Sequence, residues 1–212
     1  MSDLASRPPL KERKREQTRT RIVAAAVTLF TEHGFEAVTA DAIAEAADCS
    51  RSTLFRYFGT KEDILFGDVH TRMESLRATL ATLHPCADPW SVAKQVGLPE
   101  LVTFLNGEPA GESAGNAAGR SALPRECLTL WFSHPAPRSR YLEISHRWEQ
   151  VFAEFFAAER GVDPDHDLPS QLMATVLVGT ARSVMRAYSR PDTDLHAAID
   201  EAFALLEHGI RS

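Results

Sequence analysis

Residues 50–58, SRSTLFRYF, concentrate side chains suited to base edges and phosphates. The charged groups of the stretch, Arg51 and Arg56, are both arginines, and a guanidinium presents paired donors that match the O6 and N7 of guanine or the oxygens of a phosphate. The hydroxyls of Ser50, Ser52 and Thr53 can bond to either, while Phe55 has the shape to touch a thymine methyl. Arg51 stands at the start of its expected helix, where the helix dipole disfavours a cation, and Lys61 stands in the same way at the start of the next. A local rule broken without structural gain points to function. The chemistry implied is contact with nucleic acid.

The elements that must position these groups are helices. Ile22, Val23, Ala26, Val27, Leu29 and Phe30 recur at helical spacing and predict a helix over 18–33, stopped by Gly34 in the left-handed cap conformation with Phe35 folded back onto Phe30. Thr39 is a good N-cap for a short helix over 39–47, with Asp41 at the favourable end of its dipole. Asp48 and Cys49 form the break, aspartate being one of the few non-glycine residues that enters the left-handed region. Ser50 then caps a third helix in which Leu54 and Phe58 point inward and Arg51, Ser52, Phe55 and Arg56 lie on other faces. Gly59 ends it, and Thr60 with Asp63 forms a variant capping box for a fourth helix running to about Leu83. Two short helices joined by a tight turn describe a helix-turn-helix, whose second helix enters the major groove.

Thr53 to Glu62, TLFRYFGTKE, resembles the TetR-family signature of Thr-Leu-Tyr-x-His-Phe followed by two or three residues and Lys-Glu, and the match extends over residues 18–66. RYFGTKEDILFGD resembles an actinobacterial-type branch of that family. The resemblance implies a transcription regulator in which Thr39, Ser50, Arg51, Ser52, Thr53, Phe55, Tyr57 and Lys61 contact operator DNA. Phe55 departs from the usual tyrosine and loses a phosphate-binding hydroxyl, which Arg56 can offset. Asp48 and Cys49 replace the usual Gly-Val. The organisation expected is a basic, disordered arm over 1–17, the DNA-binding domain over 18–66, and a helical effector-binding and dimerisation domain over 67–212.

Charge distribution agrees with a nucleic-acid partner at one end. Residues 1–21 hold seven basic and three acidic side chains, +4 in a chain of net charge −6, so the remainder carries −10. Phosphate binding needs only a local positive surface, and Arg13 to Arg15 could supply one. With 212 residues and 44% hydrophobic content the chain can bury a substantial core. The cysteines Cys49, Cys86 and Cys127 are far apart with no CxxC pair, which suits a reducing compartment. No apolar run approaches the ~20 residues that span a bilayer, so a cytoplasmic location without membrane attachment is expected.

The second half reads as further helices over 90–105, with Gly97 and Pro99 suggesting a kink or break, and over 138–160, 167–189 and 193–208. Residues 106–122 form a Gly/Ala/Ser-rich segment that reads as a flexible loop. No strand pattern competes, and the fold class expected is all-α. The aromatics Phe104, Trp131, Phe132, Tyr141, Trp148, Phe152, Phe155 and Phe156 could line an apolar effector pocket with His134, His146 or Arg147 as the convergent polar group, or be ordinary core. Leu172, Val176, Gly179, Thr180, Ser183 and Ala187 put mostly small residues on one stripe, which permits close helix approach. The last two helices thereby resemble the family's homodimer interface, placed here at 167–208. An all-helical enzyme or small-molecule carrier is the competing class. The eight histidines are scattered, and no Gly-rich phosphate loop is present. No catalytic residue, metal site or cofactor is therefore expected.

Overall fold

The structure, a computed structural model, describes residues 10–67, 69–106 and 125–208, and every regular element among them is an α-helix. The chain divides into two compact units, Met1–Gly67 and Asp68–Ser212. The first nine residues of the expected arm, nearly all of the Gly-rich segment, and Gly209 lie outside the described residues.

The first unit holds α1 (Leu10–His33), α2 (Ala40–Ala46), α3 (Arg51–Tyr57) and α4 (Lys61–Ile64). Helix α1 begins at Leu10 rather than at Thr18. Residues 10–17, LKERKREQ, are all strong helix formers, so the basic segment extends the helix instead of standing apart from it. At the other end Gly34 takes φ +78°, its N–H donates to the Phe30 carbonyl at 3.0 Å, and the Phe30 and Phe35 rings meet at 4.9 Å. Ile22, Ala26 and Phe30 of α1, Ile43 and Ala44 of α2, and Leu54 and Phe58 around α3 are all buried and make the core of this unit.

The turn between α2 and α3 is a Schellman motif built without glycine. Asp48 takes φ +48°, its N–H donates to the Glu45 carbonyl at 3.0 Å, and the Cys49 N–H donates to the Ala44 carbonyl at 2.9 Å. The expected fourth helix is not continuous. It stops at Ile64, passes through a turn over 65–67 with Gly67 at φ +57°, and α5 starts at Val69. Ile64, Leu65 and Phe66 are consecutive and all buried, 1–2% exposed. A straight helix turns only one stripe inward, and the turn lets three successive side chains reach the interior.

The second unit contains α5 (Val69–Thr82), α6 (Pro89–Leu105), α7 (Arg125–Ser133), α8 (Pro135–Arg160), α9 (Leu168–Tyr188) and α10 (Leu195–His208). Helix α8 is its axis, packing against α5, α6, α7 and α9. Helix α6 is not broken at Gly97 and Pro99, where the sequence suggested a kink or break. A Cβ on Gly97 would stand 3.0 Å from the Phe152 ring of α8, so tertiary packing carries the helix across its weak point. Helix α7 has no counterpart among the expected elements. It is short, follows the Gly-rich segment, and among its described side chains buries Cys127, Leu128 and Trp131.

Polar ties fasten the connections of this unit. Glu159 of α8 accepts from the Cys86 N–H at 3.1 Å, and its Oε1 lies 2.6 Å from His84 Nδ1, which holds the α5–α6 loop against α8. Burial and then the Glu159 carboxylate push the Cys86 thiol above its ordinary pKa, away from the reactive thiolate. Gly161 closes α8 at φ +64°, and Asp167 caps α9 by accepting from the Ser170 N–H at 3.0 Å.

The left-handed turn residue yields a direct test. Asp48→Ala places a residue without a local hydrogen-bonding side chain at positive φ and should lower stability by about 1 kcal/mol, whereas Asp48→Gly should be neutral or stabilising. Urea unfolding of the two variants beside the parent measures the difference.

Candidate nucleic-acid interface

Helix α3 is seven residues long, too short to persist alone, and is held at both ends and from beneath. Ser50 accepts from the Thr53 N–H at 3.1 Å as its N-cap, and the Phe58 N–H donates to the Leu54 carbonyl at its end. Leu54 is wholly buried and Phe58 nearly so. This seating turns Arg51, Ser52, Phe55 and Arg56 outward to solvent, with Thr53 and Tyr57 half-buried at the edges. Thr39 caps α2 by accepting from the Ala42 N–H at 3.1 Å and is itself exposed.

The exposed face carries cations stacked on rings. The Arg51 guanidinium lies 5.4 Å from the Phe55 ring centroid and the Arg56 guanidinium 5.7 Å from that of Tyr57. Stacking of this kind restrains a long side chain while leaving its N–H edge outward. The hydroxyls are not independent. Ser50 Oγ lies 2.9 Å from both Ser52 Oγ and Thr53 Oγ1, so the three form one local network at the helix start. On the first turns of α1, Lys11, Lys14 and Arg15 are exposed and add positive charge to this unit.

Two cations are placed otherwise than the sequence suggests. Arg51 Nη1 donates to Asp41 Oδ2 of α2 at 2.8 Å, so the cation at the start of α3 has a carboxylate partner from the other helix of the pair. Lys61 Nζ donates to the Phe35 carbonyl at 2.8 Å and the Val38 carbonyl at 3.1 Å, and sits 4.1 Å from the Phe35 ring centroid. Two of its three donors are thus spent inside the unit, tying α4 to the α1–α2 connection. The breach of the dipole rule at Lys61 has a structural gain, a tie that positions the helix pair, so the phosphate contact expected of Lys61 is not needed to account for that breach. Neither acceptor set was legible in the sequence. Asp41 had an adequate local role at its own helix start, and backbone carbonyls carry no sequence signal.

In the second unit the aromatics fall into separate groups. Phe104 stacks on Trp131 at 5.8 Å, Trp131 on Tyr141 at 5.7 Å, and Phe132 meets Tyr141 edge-on at 5.4 Å, a continuous array across α6, α7 and α8. Arg72 of α5, buried and paired with Glu100 at 2.7 Å, lies 5.4 Å from the Phe104 ring centroid. Burial pushes the Tyr141 hydroxyl up to about 12, against the lowering by Ser145 and Arg182. Phe152 closes on Gly97, Phe155 pairs with Phe156 at 5.6 Å, Trp148 is half-buried on α8, and His134 is the N-cap residue of that helix. Of the stripe on α9, Leu172 and Ser183 are exposed and Val176, Gly179, Thr180 and Ala187 half-exposed, so it lies outside the core of the unit. Among the described residues no group of three or more His, Cys, Asp or Glu side chains could hold a metal ion, and no helix is long and apolar enough to cross a membrane.

A capped helix-turn-helix with arginines on its outer face, followed by a helical unit, is the build of a DNA-binding transcription regulator. The model of the bacterial regulatory proteins of the tetR family matches residues 22–66, and that of the MftR C-terminal domain matches residues 116–211. TcmR of Streptomyces glaucescens, an HTH-type transcriptional regulator, is 30% identical over 191 residues, covering 90% of this chain and 81% of that protein. The mycofactocin biosynthesis regulator MftR of Mycobacterium tuberculosis is 27% identical over 199 residues, covering 93% of each. In fold, a TetR-family regulator from Syntrophomonas wolfei superposes with a TM-score of 0.62 at 16% identity, covering 92% of this chain and 97% of its own. The chain belongs to the TetR family of transcriptional regulators, and these relatives are regulators rather than enzymes.

The Lys61 tie sets a test of its role. Lys61→Met keeps the apolar stem over Phe35 but strips both hydrogen bonds, and should destabilise the chain by about 1 to 3 kcal/mol. The salt dependence of DNA binding should stay as in the parent, since a lost phosphate contact would reduce its slope by about one unit. Chemical unfolding and a salt titration of binding read the two effects separately.

Proposed function

We propose that the chain is a repressor that binds a palindromic operator as a homodimer and leaves it when a small apolar, aromatic or acyl effector binds the second unit. The observation that carries the DNA half of this reading is the outer face of α3. Two guanidinium groups, each laid on an aromatic ring, stand exposed on a short helix whose other side is buried on Leu54 and Phe58. That is the arrangement a groove-reading helix requires, with bases addressed by side chains and orientation fixed by the fold beneath. Operator DNA lies in the cytoplasm, and that is the compartment in which such a chain acts.

The homodimer is supported by the outer faces of α9 and α10. Leu168, Leu172 and Leu205 are 72%, 57% and 46% exposed, and the stripe beside Leu172 is built of small residues that permit close approach. A two-fold dimer would place two copies of α3 on successive major grooves, about 34 to 36 Å apart, and so select a palindrome. The effector site is supported by the array of Phe104, Trp131, Phe132 and Tyr141, an apolar set with a buried phenol and buried Arg72 at its margins. Such a composition favours an aromatic or acyl ligand over a sugar.

Three measurements test this reading. Arg51→Ala or Arg56→Ala should cost about 1 to 3 kcal/mol of operator affinity and relax preference at one base pair if that arginine reads a base. Uniform weakening on all DNA from both variants would assign them to phosphates instead. Sedimentation of the full chain should give a dimer at micromolar concentration, and a monomer protecting one asymmetric half-site would exclude the palindrome. For induction, the intrinsic fluorescence of Trp131 and Trp148 reports effector binding, and coupling of about 1 to 3 kcal/mol is typical. Saturating operator should weaken binding of a true effector by the same factor that the effector weakens operator binding. Equal affinity with and without operator removes that ligand as the inducer.

A further inference from the structure

The carboxylate of Asp41 is out of place on a surface that meets phosphates. It belongs to the first turn of α2, where it suits the helix dipole, yet its Oδ2 is directed to Arg51 Nη1 at 2.8 Å across the turn between the two helices. Arg51 is out of place as well, a cation at the positive end of α3. Each anomaly is resolved by the other. Both side chains remain more than half exposed, 61% for Arg51 and 65% for Asp41, and an exposed pair of this kind adds little to folding. Its consequence lies in where the guanidinium is held.

We infer that Asp41 is a specificity-determining positioning residue, whose carboxylate holds one edge of the Arg51 guanidinium while the Phe55 ring supports its plane, presenting the remaining donors to a guanine. This rests on α3 being the recognition helix. A guanidinium has five N–H donors in a rigid fork; Asp41 engages Nη1, and the side chain is still 61% exposed, so donors remain for a base. The ring centroid of Phe55, one helical turn further along α3, lies 5.4 Å from the guanidinium carbon, so the group is restrained by two contacts at once. A restrained guanidinium loses less conformational freedom when it pairs with the O6 and N7 of guanine, and it is less able to swing to a neighbouring phosphate. The carboxylate acts in a second way. It repels phosphates at every site on DNA, while only a guanine in register offers Arg51 compensation. Both effects raise the ratio of specific to nonspecific binding rather than affinity in general. Asp41 does not itself touch a base in this arrangement.

The experiment uses the full chain. A randomised duplex library is first enriched with the parent protein, and the selected duplex, its variants at each base pair and an unselected duplex are then titrated at one salt concentration. The proteins compared are the parent, Asp41→Asn, Asp41→Ala, Arg51→Ala and the Asp41→Ala/Arg51→Ala double variant, each checked for unchanged helicity and melting. Preference for guanine at one position of each half-site should fall about fivefold in both Asp41 variants, with binding to the unselected duplex equal or tighter. On the Arg51→Ala background, removing Asp41 should change that preference no further. An unchanged guanine preference in both Asp41 variants overturns the inference and leaves α3 as the recognition helix. A preference that rises also overturns it, by showing that Asp41 holds Arg51 back. A parent protein that enriches no sequence overturns the reading of α3 itself and the inference with it.

Discussion

A helix of seven residues has too few internal hydrogen bonds to hold its own shape in water. Everything that α3 presents outward therefore depends on what holds it from beneath, which is the burial of Leu54 and Phe58 in the core of this unit. Once those two side chains are seated, the helical period decides which residues face solvent, and Arg51, Ser52, Phe55 and Arg56 have no alternative. Burial of the apolar side and exposure of the guanidinium side are one event. The same constraint explains why the surrounding connections are so closely specified. A shift of one residue in the α2–α3 turn would rotate the arginines out of the outer face, and the left-handed Asp48 with its two Schellman hydrogen bonds prevents that shift.

Within this unit the charged groups divide by the surroundings of their heads. Lys61 spends its ammonium on the carbonyls of Phe35 and Val38 and on the face of the Phe35 ring. It is a fastener between α4 and the connection that leads into α2. Arg51 and Arg56 keep their heads largely in solvent, supported by rings and, for Arg51, by one hydrogen bond to Asp41. Both kinds of residue are cations at or near short helices, and residue type alone does not separate them. What separates them is whether the charged end is taken up by part-buried backbone carbonyls, as in Lys61, or left largely in solvent, as in Arg51.

The second unit is organised on different terms. Helix α8 is long enough to serve several neighbours, and its buried face supplies Tyr141, Phe152, Phe155 and Phe156 to different partners along its length. Close approach at Gly97 and the Glu159 tie to the α5–α6 loop set how α6 lies against it. Because the rings follow the axis of α8, they cannot all converge on one point. They form the array around Tyr141 and a second group around Phe156, which packs against Phe155 and lies 6.4 Å from Trp90. The buried Arg72 with Glu100 and Thr103 stands at the Phe104 end of the array, a polar site inside an otherwise apolar layer.

The sequence by itself determined the features written in neighbouring residues. The all-helical class, the caps at Thr39, Ser50 and Thr60, the stops at Gly34 and Gly161, the left-handed Asp48 and the outward set on α3 all follow from side chains acting on backbone within a few positions, or from helical periodicity. Only the tertiary structure decided the rest. The partnership of Asp41 with Arg51, the commitment of Lys61 to two carbonyls, the passage of α6 unbroken through Pro99, the turn that ends α4 at Ile64, the presence of α7 and the division of the aromatics depend on which distant surfaces meet. Propensity and periodicity describe what one segment prefers alone. They hold no information about an acceptor brought from another helix, and a preference worth about 1 kcal/mol per residue, or about 3 kcal/mol for proline, yields to burial when the two disagree.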